Sequence, residues 1–264
     1  MFDYHVHTSF SEDSQADMEE TIKKAIQQGI KEVCFTDHVD YDFCVDGANF
    51  EFDIKEYKQT ITGYAQKYKN KLSILKGVEL GVQPHISEKC SKLTQQGEFD
   101  FVIASTHTAQ RKDIHTKKFF EGKSAKEANE IYYLELYESI KKFNEFSVIG
   151  HIDLLKRYNV EIASGKVQNH LDILEEIFKY LIHNGKGIEI NTSGYRYDLG
   201  EPLPSVKILK MYKQMGGEIV TLGSDSHTKD TLCHNFSLAK KCMEDAGLKY
   251  IARFKKMKPY FVKI

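Results

Sequence analysis

Short apolar runs of strand length recur along the chain at Phe2–Val6, Glu32–Phe35, Ser73–Leu80, Phe99–Ala104, Ser147–Ile149, Gly187–Ile190 and Glu218–Leu222, rich in Val, Ile and Phe. Between them, apolar positions fall at helical spacing: Met18, Ile22, Ile26 and Ile30, then Ile131, Leu134, Tyr137 and Ile140, then Leu171, Leu174, Ile177 and Leu181. Alternating strand and helix predicts parallel strands joined by helical crossovers, and seven strand runs favour a closed or nearly closed α/β barrel over an open doubly wound sheet, which stays as the alternative. Gly29 is placed to end the first helix, and Gly185 the one that starts near Asn169. Residues 41–72 hold a helix, Ile54–Tyr68, behind an irregular, aspartate-bearing start, and read as an excursion over one barrel face. No repeat, linker or low-complexity tract breaks the pattern, so 1–264 is expected to form one domain.

The length of 264 residues suits a barrel of this kind, which typically takes about 250. With 37 basic against 38 acidic residues and a net charge of -1, bulk electrostatics ask for no nucleic acid, and a small-molecule substrate fits better. The N-terminus runs directly into a strand, and no later stretch approaches 18 apolar residues, so a soluble, unexported, cytoplasmic protein without a membrane partner is expected. Five widely spaced cysteines without a Cys-x-x-Cys pair read as reduced, isolated thiols.

Candidate chemistry lies at the strand exits. His5 and His7 end the first strand, Asp37 and His38 follow the second, Glu79 closes the third, His107 follows the fourth, His151 the fifth, and Asp225 and His227 the seventh. In a parallel barrel these exits open on one face. A His-x-His pair on a strand directs both rings to the same side, and imidazole with carboxylate is a ligand set for zinc, iron or manganese. Six of the eleven histidines fall at exits; His85, His115, His170, His183 and His234 do not and read as surface or loop residues. A cluster of this size exceeds the needs of one ion, which implies two to three divalent transition-metal ions. Glu79 could bridge two of them at the roughly 3.5–4 Å used in phosphoryl transfer, so hydrolysis of a small phosphate ester is the expected reaction.

At this point the residues resemble the PHP (polymerase and histidinol phosphatase) family. His5-Val6-His7-Thr8 with Ser11 and Asp13, Thr36-Asp37-His38, Gly77-Val78-Glu79, Ser105-Thr106-His107, Gly150-His151-Ile152-Asp153 and Ser224-Asp225-Ser226-His227 look like its successive motifs, in order. The runs from Gly150 to Tyr158 and from Glu189 to Gly194 are similar to its stand-alone histidinol-phosphatase branch, which completes a dephosphorylation in histidine biosynthesis. The resemblance implies a distorted (β/α)7 TIM-like barrel with a three-metal centre at the C-terminal ends of the strands. By motif, His5, His7, Glu79 and Asp225 would hold the first ion, Glu79, His107 and His151 the second, and Asp13, His38 and His227 the third. Glu79, Asp225 and His227 would carry catalysis around a metal-bridging hydroxide, with Asp37 and Asp153 orienting adjacent ligands.

Phosphate also calls for a cationic clamp, and the planar fork of arginine suits it. Arg111, Arg157 and Arg196 lie just beyond strand exits, and Arg157, in the run most like the histidinol-phosphatase branch, is the first choice. The expected reaction is hydrolysis of L-histidinol phosphate by a monomer or homodimer. The alternatives are another small phosphomonoester, a nucleotide or phosphotyrosine; a non-catalytic PHP module; or an amidohydrolase-like barrel, which shares His-x-His but typically employs a bridging lysine or carbamate, a role that Glu79 fills better here. Filled ligand positions speak against the non-catalytic module, and a chain ending where the barrel should is expected to carry no polymerase.

Overall fold

The computed structural model describes residues 1–43, 45, 48, 50–164 and 171–264. Seven parallel strands form the main path of one sheet, in the order β1 (Phe2–Val6), β2 (Glu32–Phe35), β4 (Ser73–Gly81), β5 (Phe101–Ser105), β8 (Val148–Ile149), β9 (Gly187–Asn191) and β10 (Val220–Gly223). A short eighth strand, β3 (His38–Asp40), pairs with the upper half of β4. The sheet returns on itself beyond β10: Val6 bridges Ser226 in parallel, and His7 N–H donates to the Ser226 carbonyl at 2.8 Å. This closure sets the histidines of the first strand beside the Asp225–His227 turn.

Helices α1 (Met18–Gln27), α2 (Ile54–Tyr68), α3 (Ser87–Gly97), α4 (Ala125–Lys142), α5 (Val160–Ala163), α6 (Leu171–His183), α7 (Val206–Gln214) and α8 (Phe236–Asp245) complete the crossovers. Amphipathic spacing and capping explain the clearest of them. α1 starts where the Asp17 carboxylate accepts Glu20 N–H and buries Met18, Ile22 and Ala25 on one face. α4 opens on a capping box of Ser124 and Glu127. Gly29 and Gly185 follow α1 and α6 at φ 70° and 62°, as a helix stop requires; the expected helix start near Asn169 lies outside the described residues.

The barrel axis is filled in two layers. Tyr4, Cys34, Leu75, Phe101, Ile103 and Val148 form the lower, apolar layer together with Ala252 and Phe254. The last two come from an antiparallel hairpin, β11 (Tyr250–Lys255) and β12 (Lys258–Lys263), that closes the N-terminal mouth and that hydrophobic spacing did not predict. Above that layer the interior turns polar. Tyr4 faces the apolar layer and its neighbour His5 the polar one, which two consecutive strand residues manage because the β1–β2 register slips between Asp3 and Val6. Such an irregularity re-aims a side chain next to a site.

Candidate metal centre

Strand alternation carries Glu79 inward from the last turn of β4, two residues above Gly77 and four above Leu75. Five imidazoles from four segments converge on its fully buried carboxylate: His5 Nε2 and His151 Nε2 at 2.9 Å, His38 Nδ1 at 3.2 Å, His107 Nε2 at 3.3 Å and His7 Nε2 at 3.4 Å. Asp225 Oδ1 stands 3.6 Å from His7 Nε2 and 3.8 Å from His5 Nε2. Asp13, from the loop after β1, puts Oδ2 3.1 Å from His227 Nε2 and 3.6 Å from His38 Nε2. All nine expected ligands therefore meet at one mouth of the barrel.

Donors this close do not all satisfy one another. Buried His7 Nε2, His38 Nδ1 and His151 Nδ1 have no hydrogen-bond partner, although a buried polar atom normally has one. Four triads place ligand atoms within 4.8 Å of one another: His5–His7–Asp225, His5–Glu79–His151, His38–Glu79–His107 and His7–His38–His227. Clustered, unsatisfied imidazole and carboxylate donors fit divalent transition-metal ions. The electrostatics agree. Burial disfavours the charged form of Glu79, yet His5, His38 and His107 hold its carboxyl well below the usual range. Burial likewise opposes protonation of His38, but Glu79, Asp40 and Asp13 push it up to about 9, whereas burial with His227 and His38 drives His7 well below its ordinary value. One imidazole is thus held charged and its neighbour neutral, a frustration that a cation relieves.

Supporting contacts differ in part from those expected. Asp37 reaches His7 through Ser11, whose hydroxyl donates to Asp37 Oδ1 at 2.8 Å and lies 3.1 Å from His7 Nδ1. Asp153 does not support His151: its Oδ2 accepts Ser205 N–H at 3.1 Å and faces Lys156 at 3.7 Å, and burial lifts its carboxyl to about 6. Two other carboxylates do the supporting. Asp40 Oδ1 lies 2.7 Å from His107 Nδ1, and Glu189 Oε1 lies 2.6 Å from His5 Nδ1. Each needs a glycine opposite: a Cβ on Gly81 would stand 1.9 Å from Asp40 Oδ1, and one on Gly223 2.0 Å from Glu189 Oε1. The available signal was strand alternation, since Asp40 shares a face with His38, and Glu189 with Asn191.

A cavity of about 460 Å³ opens above the cluster. Arg157 and Arg196 line it; Arg111 does not, and sits exposed in the turn between β6 (Thr108–Ala109) and β7 (Lys112–Asp113). The Arg157 side chain, 8% exposed, donates from Nη2 to Asp225 Oδ2 at 2.9 Å and to Ser193, and stacks 4.4 Å from the Tyr197 ring centre. Its buried Nε–H has no partner. Arg196 donates to the carbonyls of Ser224 and Asp225, both at 2.7 Å, and so braces the Asp225 turn as well as facing the cavity. His115, expected as an ordinary loop residue, also lines the cavity, its ring edge-on to Tyr158 at 5.7 Å. His85 pairs with Asp42 and His183 ends α6, away from the cluster; His170 lies outside the described residues.

A parallel barrel with a histidine–carboxylate cluster at its C-terminal mouth defines a metallohydrolase-type centre. The PHP domain profile matches residues 3–193, and the chain belongs to the PHP domain family. A histidinol-phosphatase of Lactococcus lactis subsp. lactis is 31% identical over 258 residues, covering 97% of this chain and 95% of its own. A relative from Clostridium acetobutylicum is 32% identical over 263 residues, covering 98% and 99%. The crystal structure of histidinol phosphate phosphatase from Lactococcus lactis, complexed with zinc, L-histidinol and phosphate, superposes with a TM-score of 0.87 at 29% identity over 98% of both chains.

Proposed function

We propose that this protein is a metal-dependent phosphatase that hydrolyses L-histidinol phosphate to L-histidinol and phosphate, a step of histidine biosynthesis. The observation that carries the reading is the convergence of five imidazoles on Glu79 at the floor of a cavity whose wall includes Arg157 and Arg196. The likeness to a phosphatase complexed with zinc, L-histidinol and phosphate supports the choice of substrate.

We assign His5, His7, Glu79 and Asp225 to one ion, Glu79, His107 and His151 to a second, and Asp13, His38 and His227 to a third, with zinc, iron or manganese as the metal. Such ions, when bound, lower the pKa of water and neutralise phosphoryl oxygens. The chain supplies the rest. Glu79, Asp225 and His227 hold the attacking water against phosphorus. The Arg157 guanidinium, already buried and with Nε–H free, donates to phosphoryl oxygens, where charge-assisted bonds are strongest. Arg196 keeps the Asp225 turn in place and adds positive charge to the same wall. Beyond the arginines the cavity is walled by His115, Tyr158, Phe50, Ile114 and Leu154, an aromatic and apolar surface for the leaving alcohol.

Phosphate release from L-histidinol phosphate should be compared with that from phosphotyrosine, a nucleoside monophosphate and a simple aryl phosphate. The reading expects kcat/KM on histidinol phosphate to exceed the others by at least about tenfold, about 1.4 kcal/mol of discrimination. A higher value on any of the others moves the protein to a different substrate within the family.

A further inference from the structure

Glu189 belongs to no expected ligand set, yet its carboxylate touches the metal centre from two sides. Oε1 lies 2.6 Å from His5 Nδ1, while Oε2 accepts the backbone N–H of His151 at 3.0 Å and the Asn191 side-chain amide at 3.1 Å. His151 has φ 21°, a backbone state that side-chain-bearing residues rarely adopt without being held there. We propose that Glu189 is the positioning residue of the metal centre, one carboxylate that sets the direction of the ligand nitrogens on both β1 and the turn after β8. This rests on the metal-dependent reading above. By accepting Nδ1–H from His5 it leaves the Nε2 lone pair available to an ion on the side that Glu79, 2.9 Å away, and Asp225 also face. By accepting His151 N–H it fixes the turn from which that ring reaches Glu79 at 2.9 Å.

The chemistry distinguishes this role from simple packing. An amide at position 189 has only one acceptor oxygen. Placed toward His5, it turns its NH2 against two donors, His151 N–H and the Asn191 amide; placed the other way, it leaves His5 Nδ1–H without an acceptor. Glu189→Asp offers a second handle, because it keeps two acceptor oxygens but draws them back by one methylene from His5 Nδ1 and His151 N–H; Gly223 does not, since a Cβ there would also stand 2.5 Å from His5 Cβ.

The test is zinc titration of chelated protein, followed by calorimetry or a competing chromophoric chelator, for wild type, Glu189→Gln and Glu189→Asp. Glu32→Gln serves as the control for general destabilisation, since Glu32 is equally buried but lies at the opposite mouth. Zinc affinity should fall about 10–100-fold in each site variant. Glu32→Gln should bind zinc like wild type. If Glu189→Gln does not fold, Glu189→Asp gives the answer. Affinity within twofold of wild type in the folded site variants, or an equal loss in Glu32→Gln, overturns the proposal. A wild-type chain that takes up no zinc sinks the metal reading and this inference with it.

Discussion

Each mouth of the barrel is built around a buried glutamate. At the N-terminal mouth, Glu32 accepts from the Tyr4 hydroxyl at 2.5 Å, the Ser73 hydroxyl at 2.8 Å and Arg253 Nε at 2.8 Å, so its oxygens meet only donors. At the C-terminal mouth, Glu79 accepts from the Ser105 hydroxyl at 2.6 Å and pairs with His5 Nε2 and His151 Nε2 at 2.9 Å, yet His7 Nε2, His38 Nδ1 and His151 Nδ1 in the imidazoles crowded around it stay unpaired. The first arrangement is complete and holds the closing hairpin in place. The second is incomplete as it stands, and burial makes incompleteness costly. A structural ion pair and a metal centre can contain similar residues; whether the lone pairs and protons already match tells them apart.

Breaking the two glutamates should therefore give opposite phenotypes. Glu79→Ala is expected to lower phosphate release about 10³-fold or more, about 4 kcal/mol, with the circular-dichroism spectrum retained, because the apolar layer below does not depend on it. A collapse of the fold together with activity would make Glu79 a structural residue like Glu32. Arg157→Ala should lose about 2–4 kcal/mol of transition-state stabilisation while keeping its zinc content, and Arg157→Lys should recover only part of it. Hydrolysis by the alanine variant within about threefold of wild type, about 0.7 kcal/mol, would remove the arginine from the phosphate site. Glu32→Gln should cost about 2 kcal/mol in urea unfolding, the scale of a charge-assisted hydrogen bond, and leave kcat/KM unchanged.

A further contrast is a pH dependence confined to one mouth. His38, pushed up to about 9 in the metal-free fold against about 6.5 unfolded, contributes stability that is complete below pH 6.5 and lost as pH rises through 9. Chelated protein should lose stability across that window in urea melts, and Glu79→Gln should flatten the loss. Zinc affinity should run the other way, rising with pH as imidazoles give up protons to become ligands. Parallel trends in the two measurements would mean that the cluster does not bind metal through these rings.

The barrel was legible because its buried strands are short Val-, Ile- and Phe-rich runs, and because strand exits in a parallel sheet must share a face. The strand β3 was not, since three residues, His38–Asp40, carry too little pattern to separate from a loop. The hairpin β11–β12 hid for another reason: its turn residues, Lys256 and Met257, adopt φ 50° and 60° without the glycine or asparagine that normally announces such a turn. Helices α3, α7 and α8 lack side-chain caps, whereas α1, α2 and α4 have them. Within the site, ligand types and strand-exit placement pointed to eight of the nine converging residues; Asp13, in the loop after β1, came only from the family resemblance. Asp40 and Glu189 escaped because a carboxylate one strand step from a ligand reads as ordinary strand polarity until its partner on another strand is known. His115 escaped because the small β6–β7 hairpin folds its loop back over the cavity, a tertiary event with no local signature.

The account stands most directly on phosphate release from L-histidinol phosphate by one preparation assayed as purified, after chelation, and after zinc is restored. The prediction is turnover that falls to background on chelation and returns with two to three zinc ions per chain. Turnover that survives complete metal removal, or zinc-loaded protein that leaves histidinol phosphate intact, would contradict it.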